Sequence, residues 1–472
     1  MKSKSEYIEP LYEEIINFDV DNLIRIFFFK NDLMVLNSSM VMEGYGRYSF
    51  ICFDNFASFS SKGNEHYWNN ESIDVCNPFD FISEKINEYK LKKIAFLPPL
   101  QGGVVGSFGY EAAHYLEDLP RVQDNIELPD IHLNFYDSLI AIDHLTDRCW
   151  IISTGFPEKL ESKRVKRAED NILKIKKMMS SQADCSDVMS KKDVNINRTI
   201  SSNFTRQSYI NAVKKTKEFI LNGDIYEANI TQQFSSILLE NESLLFLYFK
   251  LMKKNPAPFS AFMKLKDNGS IVSASPERFV KLTDNLMEVC PIKGTRKRSK
   301  DANEDKLLAE ELLSSEKDYA ENIMIVDLMR NDISRVCQPQ TVKVDELCAL
   351  KSFKTVHHLV SKVTGKLKVN LKAMDVMKAI FPPGSVTGAP KIRSMEIISE
   401  LEMQARGPYC GCLGYMSFTG DMDMSVVIRT YFINKNKVFF SAGGAIVVDS
   451  KPEEEYEESL TKAQALVEAL TL

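Results

Sequence analysis

Pro291-Ile292-Lys293-Gly294-Thr295-Arg296 lies between two kinds of sequence, and that contrast sets the fold class. Before it, Phe259 to Leu265 and Ile271 to Leu282 read as strands joined at Asp267-Asn268-Gly269, a hairpin turn signal. After it, Glu304 to Arg330 carries helical periodicity in two parts. Taken by itself, Lys293 is a surface amine in a glycine turn, because the charge run Arg296-Lys297-Arg298 that follows is of the usually solvated kind.

The pattern continues outward. Thr205 to Leu221 predicts a helix with apolar positions Ile210, Val213, Phe219 and Ile220, ended by Asn222-Gly223-Asp224. Tyr226 to Leu238 predicts a strand, Leu371 to Phe381 a helix stopped by Pro382-Pro383, and Lys391 to Glu402 another helix. Cys410 to Phe418, Met424 to Ile433 and Val438 to Val448 predict antiparallel strands, and Glu453 to Leu470 a last helix. Long antiparallel strands with helices grouped between them predict an α+β fold, its antiparallel β-sheets sandwiched between outer helices.

Upstream, Leu33 to Leu36, Arg47 to Phe53, Val104 to Phe108, Asp137 to Asp143 and Cys149 to Ser153 predict short strands. Gly102-Gly103 and Gly106 suit close backbone approach. A basic helical run, Glu158 to Met179, leads into a polar, aromatic-poor stretch. The expected organisation is therefore an N-terminal region 1–180, a linker 181–203 and a C-terminal region 204–472.

With 472 residues, 44% hydrophobic and 26% charged, the chain has the composition of a globular protein able to bury a large core. Its formal charge is −6, and no basic patch interleaved with aromatics points to nucleic acid. Ile24 to Phe29 is apolar but too short to span a bilayer, and the polar start Met1-Lys2-Ser3-Lys4-Ser5-Glu6-Tyr7 lacks a signal-peptide core. Nine scattered cysteines with no C-x-x-C pair argue against zinc or a disulfide framework and suit a reducing cytoplasm.

Acidic residues supply the first chemical candidates. Asp318 and Glu321 are three apart on one predicted helix, and Glu455 and Glu458 are three apart on the last. Two such pairs suit a hard divalent cation such as Mg²⁺, which prefers carboxylate oxygen, although helix acids are more often solvated.

Ordered motifs change that balance. Pro291 to Arg296 resembles the P-I-x-G-T-R signature of chorismate-utilising enzymes. Gly223 to Asn229 resembles G-D-I-Y-Q-x-N, and Ser273 to Phe279 matches S-x-S-P-E-R-F. Glu316 to Asp332 resembles the run ending V-D-L-x-R-N-D, and Phe381 to Lys391 resembles F-P-G-G-S-x-T-G-A-P-K. Gly407-Pro408-Tyr409-Cys410-Gly411, Ile428-Arg429-Thr430 and Ala442 to Val447 follow in order, and Pro452 to Lys462 resembles the E-x-E-Y-x-E-T-L-x-K tail. The resemblance is strong over 205–470 and weaker upstream, resting there on Val35 to Ser38, Gly46 to Ser49 and Gln101-Gly102-Gly103.

The resemblance implies the following roles. Glu321, Glu455 and Glu458 hold Mg²⁺ against the ring carboxylate. Glu277 is the general acid for the departing 4-hydroxyl, since hydroxide leaves poorly unassisted. Arg429 and Lys462 grip carboxylates, Tyr409 contacts substrate, and His358 lies near the reacting ring. Gly384, Ser385, Thr387, Gly388 and Gly443 present backbone N–H groups to anionic oxygens. The variable position of the signature tracks the chemistry. Alanine is usual in anthranilate synthases, and the lysine found here marks the aminodeoxychorismate synthase branch. In that branch Lys293 adds to the ring at C2 as a neutral amine, and ammonia then enters at C4; holding a substrate oxygen is the other role open to it.

Three departures stand out. Glu227 replaces a common Gln, where isochorismate and salicylate synthases carry a general-base Lys; Pro383 and Ala445 each replace a common Gly. Cys410-Gly411-Cys412-Leu413-Gly414 is not a G-x-C-x-G elbow, so a separate glutaminase subunit is the expected ammonia source. The rivals are an anthranilate synthase large subunit, disfavoured by Lys293 and Asn37; an isochorismate or salicylate synthase, disfavoured by Glu227; and an inactive chorismate-binding regulatory subunit.

Overall fold

The computed structural model describes residues 8–41, 44–180, 198–239, 242–352 and 356–471. Among the described residues, two twelve-stranded sheets, antiparallel throughout their ladders, pack face to face. The first contains, among others, strands Met34–Asn37, Ser138–Asp143, Glu227–Ile237, Ser270–Ser275, Thr430–Asn434 and Lys437–Ile446; the second contains Gly103–Phe108, Ile131–Tyr136, Arg278–Thr283, Ile292–Lys297, Val356–Lys366 and Met422–Val426. Strands from both sides of residues 181–203 enter both sheets: Met34–Asn37 pairs with Phe259–Lys264, and Gly103–Phe108 with Cys412–Ser417. Of the expected linker, 181–197 lies outside the described residues.

Alternation along the first sheet shows why the fold is layered. Leu139 and Ala141 face the core shared by the two sheets, while Ile140 and Ile142 face the outer helices. Trp150 and Ile152 divide from Cys149 and Ile151 in the same way. Both faces are buried, so these strands read as continuous apolar runs. Helices Val20–Phe27, Glu161–Ser180, Leu244–Lys254 and Pro452–Thr471 cover the outer face of the first sheet. Helices Arg206–Leu221 and Lys391–Glu402 pack on Glu227–Ile237 in a smaller cluster. The α+β sandwich read from the sequence is the fold observed.

Two predicted strands differ, and the difference builds the site. Ile271 to Leu282 is not one strand: the chain leaves the first sheet at Ser275, turns at Pro276-Glu277 and enters the second at Arg278. Pro276 lacks the N–H that a continuing ladder needs. Met424 to Ile433 breaks likewise between Val426 and Thr430, with Arg429 at a positive φ of 54°. Glu277 and Arg429 therefore occupy corners where the chain passes between sheets, not mid-strand positions. Pro291 to Arg296 departs too. It is not a surface turn but runs into strand Ile292–Lys297, with a bulge at Gly294 (φ 83°) that shifts the register between Lys293 and Thr295.

Candidate active site

Lys293 is the hub. Its side chain is 11% exposed, and its Nζ lies 3.0 Å from Glu227 Oε1. Glu227 opens the strand Glu227–Ile237, is 1% exposed, and leaves its Oε2 buried with no hydrogen-bond partner. Burial opposes the Lys293 charge, but the carboxylates of Glu227, Glu321 and Glu277 outweigh it and hold the amine's pKa above its ordinary value. The free enzyme thus carries an ammonium here, not the neutral amine a nucleophile needs.

Glu277, at its inter-sheet corner, is 7% exposed. Burial pushes its carboxyl up to about 7. The Ser385 hydroxyl, buried without a well-aligned partner, and the charges of Lys293 and Lys462 pull it only partly back. Val426 N–H donates to the Glu277 carbonyl at 3.0 Å, tying the two corners together. Burial raises the Glu321 carboxyl to about 7 as well, against the pull of Lys293. Two carboxyls that titrate near neutrality beside one amine form the kind of arrangement acid–base chemistry uses.

The acids of helices Glu316–Ser334 and Pro452–Thr471 meet around Lys317, whose Nζ is 3.9 Å from Glu321 and 3.8 Å from Glu455. Glu455 accepts from Ser450 Oγ at 2.7 Å, and Glu458 pairs with Lys462 at 2.6 Å. Both carboxylates reach over Gly444, where a Cβ would stand 3.2 Å from Glu455 Oε2 and 3.3 Å from Glu458 Oε1. Among the described residues no three acidic, histidine or cysteine side chains are gathered tightly enough to chelate an ion as they stand. The donor chemistry fits a small hard cation nonetheless: Glu321 and Glu455 face the Lys317 ammonium, Glu458 faces that of Lys462, and glycine keeps the space beside Glu455 and Glu458 open. Asp318 belongs elsewhere, bonded to Arg296 at 3.2 Å.

On the other flank, Arg429 donates to the Lys462 carbonyl, and Lys462 Nζ donates to the Gly443 carbonyl at 2.9 Å. Tyr409 is 5% exposed, and its phenol lies within electrostatic reach of Arg429. His358 Nδ1 is 2.8 Å from Thr295 Oγ1, opposite it in the ladder. Burial, helped by Arg429, lowers the His358 pKa to about 4, so the ring is neutral at physiological pH.

The glycine-rich segment makes a tight buried turn, Gly384–Val386, then a short bridge through Gly388 to the start of the Glu227 strand. Thr387 uses its donors locally: its N–H donates to the Gly384 carbonyl at 3.3 Å, and its hydroxyl to the Pro383 and Gly384 carbonyls. Gly388, at φ 157°, has no room for a side chain, since a Cβ would lie 2.1 Å from the Glu227 carbonyl. Gly443 meets the same limit, 2.0 Å from the Ile230 carbonyl.

Sequence reasoning missed the clasp behind this turn. Arg406 and Glu402 form a buried pair, 3% and 4% exposed. Arg406 donates to the Val386 carbonyl at 2.8 Å and the Asn229 carbonyl at 2.6 Å, while Glu402 accepts from Thr231 N–H at 2.8 Å. The clasp fastens the 384–388 turn to the strand carrying Glu227. Its only signal was an acid and a base four apart at a helix end, the commonest pattern of a solvated surface. Lys317 was missed for the same reason, four residues before Glu321.

Comparison with known proteins agrees with this geometry. Residues 37–468 match the family model for the chorismate binding enzyme. The chain is 36% identical to aminodeoxychorismate synthase component 1 of Escherichia coli (strain K12), covering 93% of each chain. It is 35% identical to anthranilate synthase component 1 of Aquifex aeolicus (strain VF5), covering 100% of this chain and 96% of that one. Its fold matches the crystal structure of anthranilate synthase component I from Streptococcus pneumoniae TIGR4 with a TM-score of 0.78 and 32% identity, over 89% of this chain and 91% of that one. With a family model spanning most of its length and relatives above the level at which folds are shared, the chain belongs to the chorismate-binding enzyme family.

Proposed function

We propose that this protein is an aminodeoxychorismate synthase component I. It converts chorismate and ammonia to 4-amino-4-deoxychorismate, depends on Mg²⁺, and receives ammonia from a glutaminase on a separate chain. The relatives divide between the aminodeoxychorismate branch and the anthranilate branch at nearly equal identity, so the chemistry at residue 293 separates the readings. The observation that carries the proposal is a nearly buried primary amine, Lys293, centred among Glu227, Glu277 and Glu321.

In this reading Arg429, Lys462 and Tyr409 hold the substrate carboxylates, an Arg fork being suited to bidentate pairing. The turn at Gly384, Ser385, Thr387 and Gly388, with Gly443, lines the ring site. Glu321, Glu455 and Glu458 would hold Mg²⁺, which when bound anchors and screens the ring carboxylate. Lys293 first gives up its ammonium proton to solvent as chorismate fills the site, and the neutral amine then forms the Nζ–C2 bond as the two ring double bonds shift and the C4–O bond breaks. Glu277, protonated up to about pH 7, supplies the proton with which the hydroxyl leaves as water. Ammonia then forms the C4–N bond, and the electron pair of the C2–Nζ bond returns to the lysine. A neutral His358 bonded to Thr295 serves by hydrogen bonding at the ring edge, not as an acid.

The test is mass-spectrometric identification of the product from chorismate, Mg²⁺ and an ammonium salt. The expected product keeps the enolpyruvyl group and gains an amine. Anthranilate or isochorismate as the main product refutes the reading.

A further inference from the structure

We propose that the unpartnered Glu227 Oε2 is the docking point and proton acceptor for the incoming ammonium ion. The proposal rests on the amination reading above and deepens it. A carboxylate at this position can take a proton as well as accept a hydrogen bond. The two oxygens of Glu227 are not equivalent. Oε1 is engaged by Lys293 at 3.0 Å, whereas Oε2 is buried and makes no hydrogen bond. An orphaned carboxylate oxygen inside a protein is costly unless a donor arrives.

The charges around this oxygen favour a cationic donor. Lys293 faces Glu227 from the strand Ile292–Lys297, and Glu321 lies within electrostatic reach from the helix Glu316–Ser334. Ser394 of helix Lys391–Glu402 meets only the Glu227 carbonyl, at 3.0 Å. Glu227 itself pairs with Ala389, and the strand Lys437–Ile446 lays Ile446, Ala445, Gly444 and Gly443 against Ala228 to Thr231, the residues that follow Glu227; none of these partners carries a charge. With one lysine and two acids converging, a small cation with N–H donors suits the spot, and ammonium is the protonated form of the ammonia that the proposed reaction uses.

The step balances as follows. Ammonium bonded to Oε2 gives it one proton while the freed nitrogen pair forms the C4–N bond. The two double bonds shift back, the C2–Nζ bond breaks and its electron pair returns to Lys293. The proton on Glu227 then passes through Lys293, 3.0 Å away, to the Glu277 carboxylate, restoring the acid spent on the leaving hydroxyl. Chorismate and ammonium become the protonated amine product and water; Glu227 and Glu277 end as they began, and Lys293 takes back from solvent the proton it shed before attacking.

The test compares wild type, Glu227→Gln and Glu227→Asp at several pH values between about 7 and about 9. In this range the free-ammonia share of total ammonium rises about tenfold per pH unit. The readout is kcat/KM for total ammonium, taken as the ratio of variant to wild type so that ionisations common to both cancel. If Glu227 accepts the proton, wild type uses ammonium and Glu227→Gln needs free ammonia, so the ratio climbs about tenfold per pH unit. Glu227→Asp, still a carboxylate, keeps a flat ratio at a lower rate. A flat ratio for Glu227→Gln with the aminated product still formed overturns the ammonium site alone. Failure of wild type to form any aminated product overturns both this inference and the function it rests on.

Discussion

Glu277→Gln should make the ligand-free protein more stable relative to wild type as pH rises, and the structure sets the size of the effect. The Glu277 carboxyl is 7% exposed and is raised from its ordinary 4.5 to about 7, chiefly by burial. The folded protein therefore binds that proton more tightly than the unfolded chain does. The stability so contributed is complete below about pH 4.5, declines through the window, and is gone above about pH 7. At about 1.4 kcal/mol per pH unit, ionised Glu277 costs the fold about 3 kcal/mol once the pH is well above 7. Glutamine has the same shape and cannot ionise. Urea unfolding of wild type and variant, run in parallel at about pH 5 and about pH 8.5, should show the gap between them widen by about 2–3 kcal/mol in favour of Glu277→Gln. Any constant difference in packing or hydrogen bonding cancels between the two pH values. A gap that stays the same across the window would mean that Glu277 ionises like a surface acid, and the case for it as a proton donor at neutral pH would fall with it.

Further outcomes follow from the same site. Turnover stalled without ammonia should leave an adduct on the peptide containing Lys293, and Lys293→Ala should lose amination by about 100-fold or more. Lys293→Arg should fare no better, because a guanidinium stays protonated; good activity in Lys293→Arg without an adduct would reduce Lys293 to a binding residue. Calorimetric titration of the ligand-free protein should show Mg²⁺ affinity falling about 10-fold or more in Glu321→Gln. In Lys317→Met it should rise several-fold, since the competing ammonium is removed; unchanged affinity in both variants would take Mg²⁺ away from these acids. Gly444→Ala puts a methyl 3.2 Å from Glu455 Oε2 and 3.3 Å from Glu458 Oε1, so it should leave the fold intact while weakening Mg²⁺ affinity several-fold. A Mg²⁺ titration matching wild type would show that those carboxylates do not work together.

The sequence by itself determined the layered class and most elements. Helices Arg206–Leu221, Lys391–Glu402 and Pro452–Thr471 lie within a residue or two of their predicted limits, because caps and apolar periodicity are local signals. It also placed Glu277, Lys293, Glu321, Arg429 and Glu458 on one candidate list, through motifs spread over nearly two hundred residues. Tertiary structure decided what those residues are to one another. Glu277 and Arg429 leave their strands only because the chain crosses from one sheet to the other there, and nothing within a ten-residue window announces a change of sheet. Strand pairing also gives both sheets strands from each side of residues 181–203. Lys293 ceases to be a surface amine only when Glu227, sixty-six positions earlier, comes within 3.0 Å of it. Glu402 and Arg406 read as an exposed helix pair until the 384–388 turn and the Glu227 strand bury them. Motif and periodicity report what each segment prefers alone; burial, pKa and the orphaned Glu227 oxygen arise from contacts between distant segments, and those exist only in the folded chain.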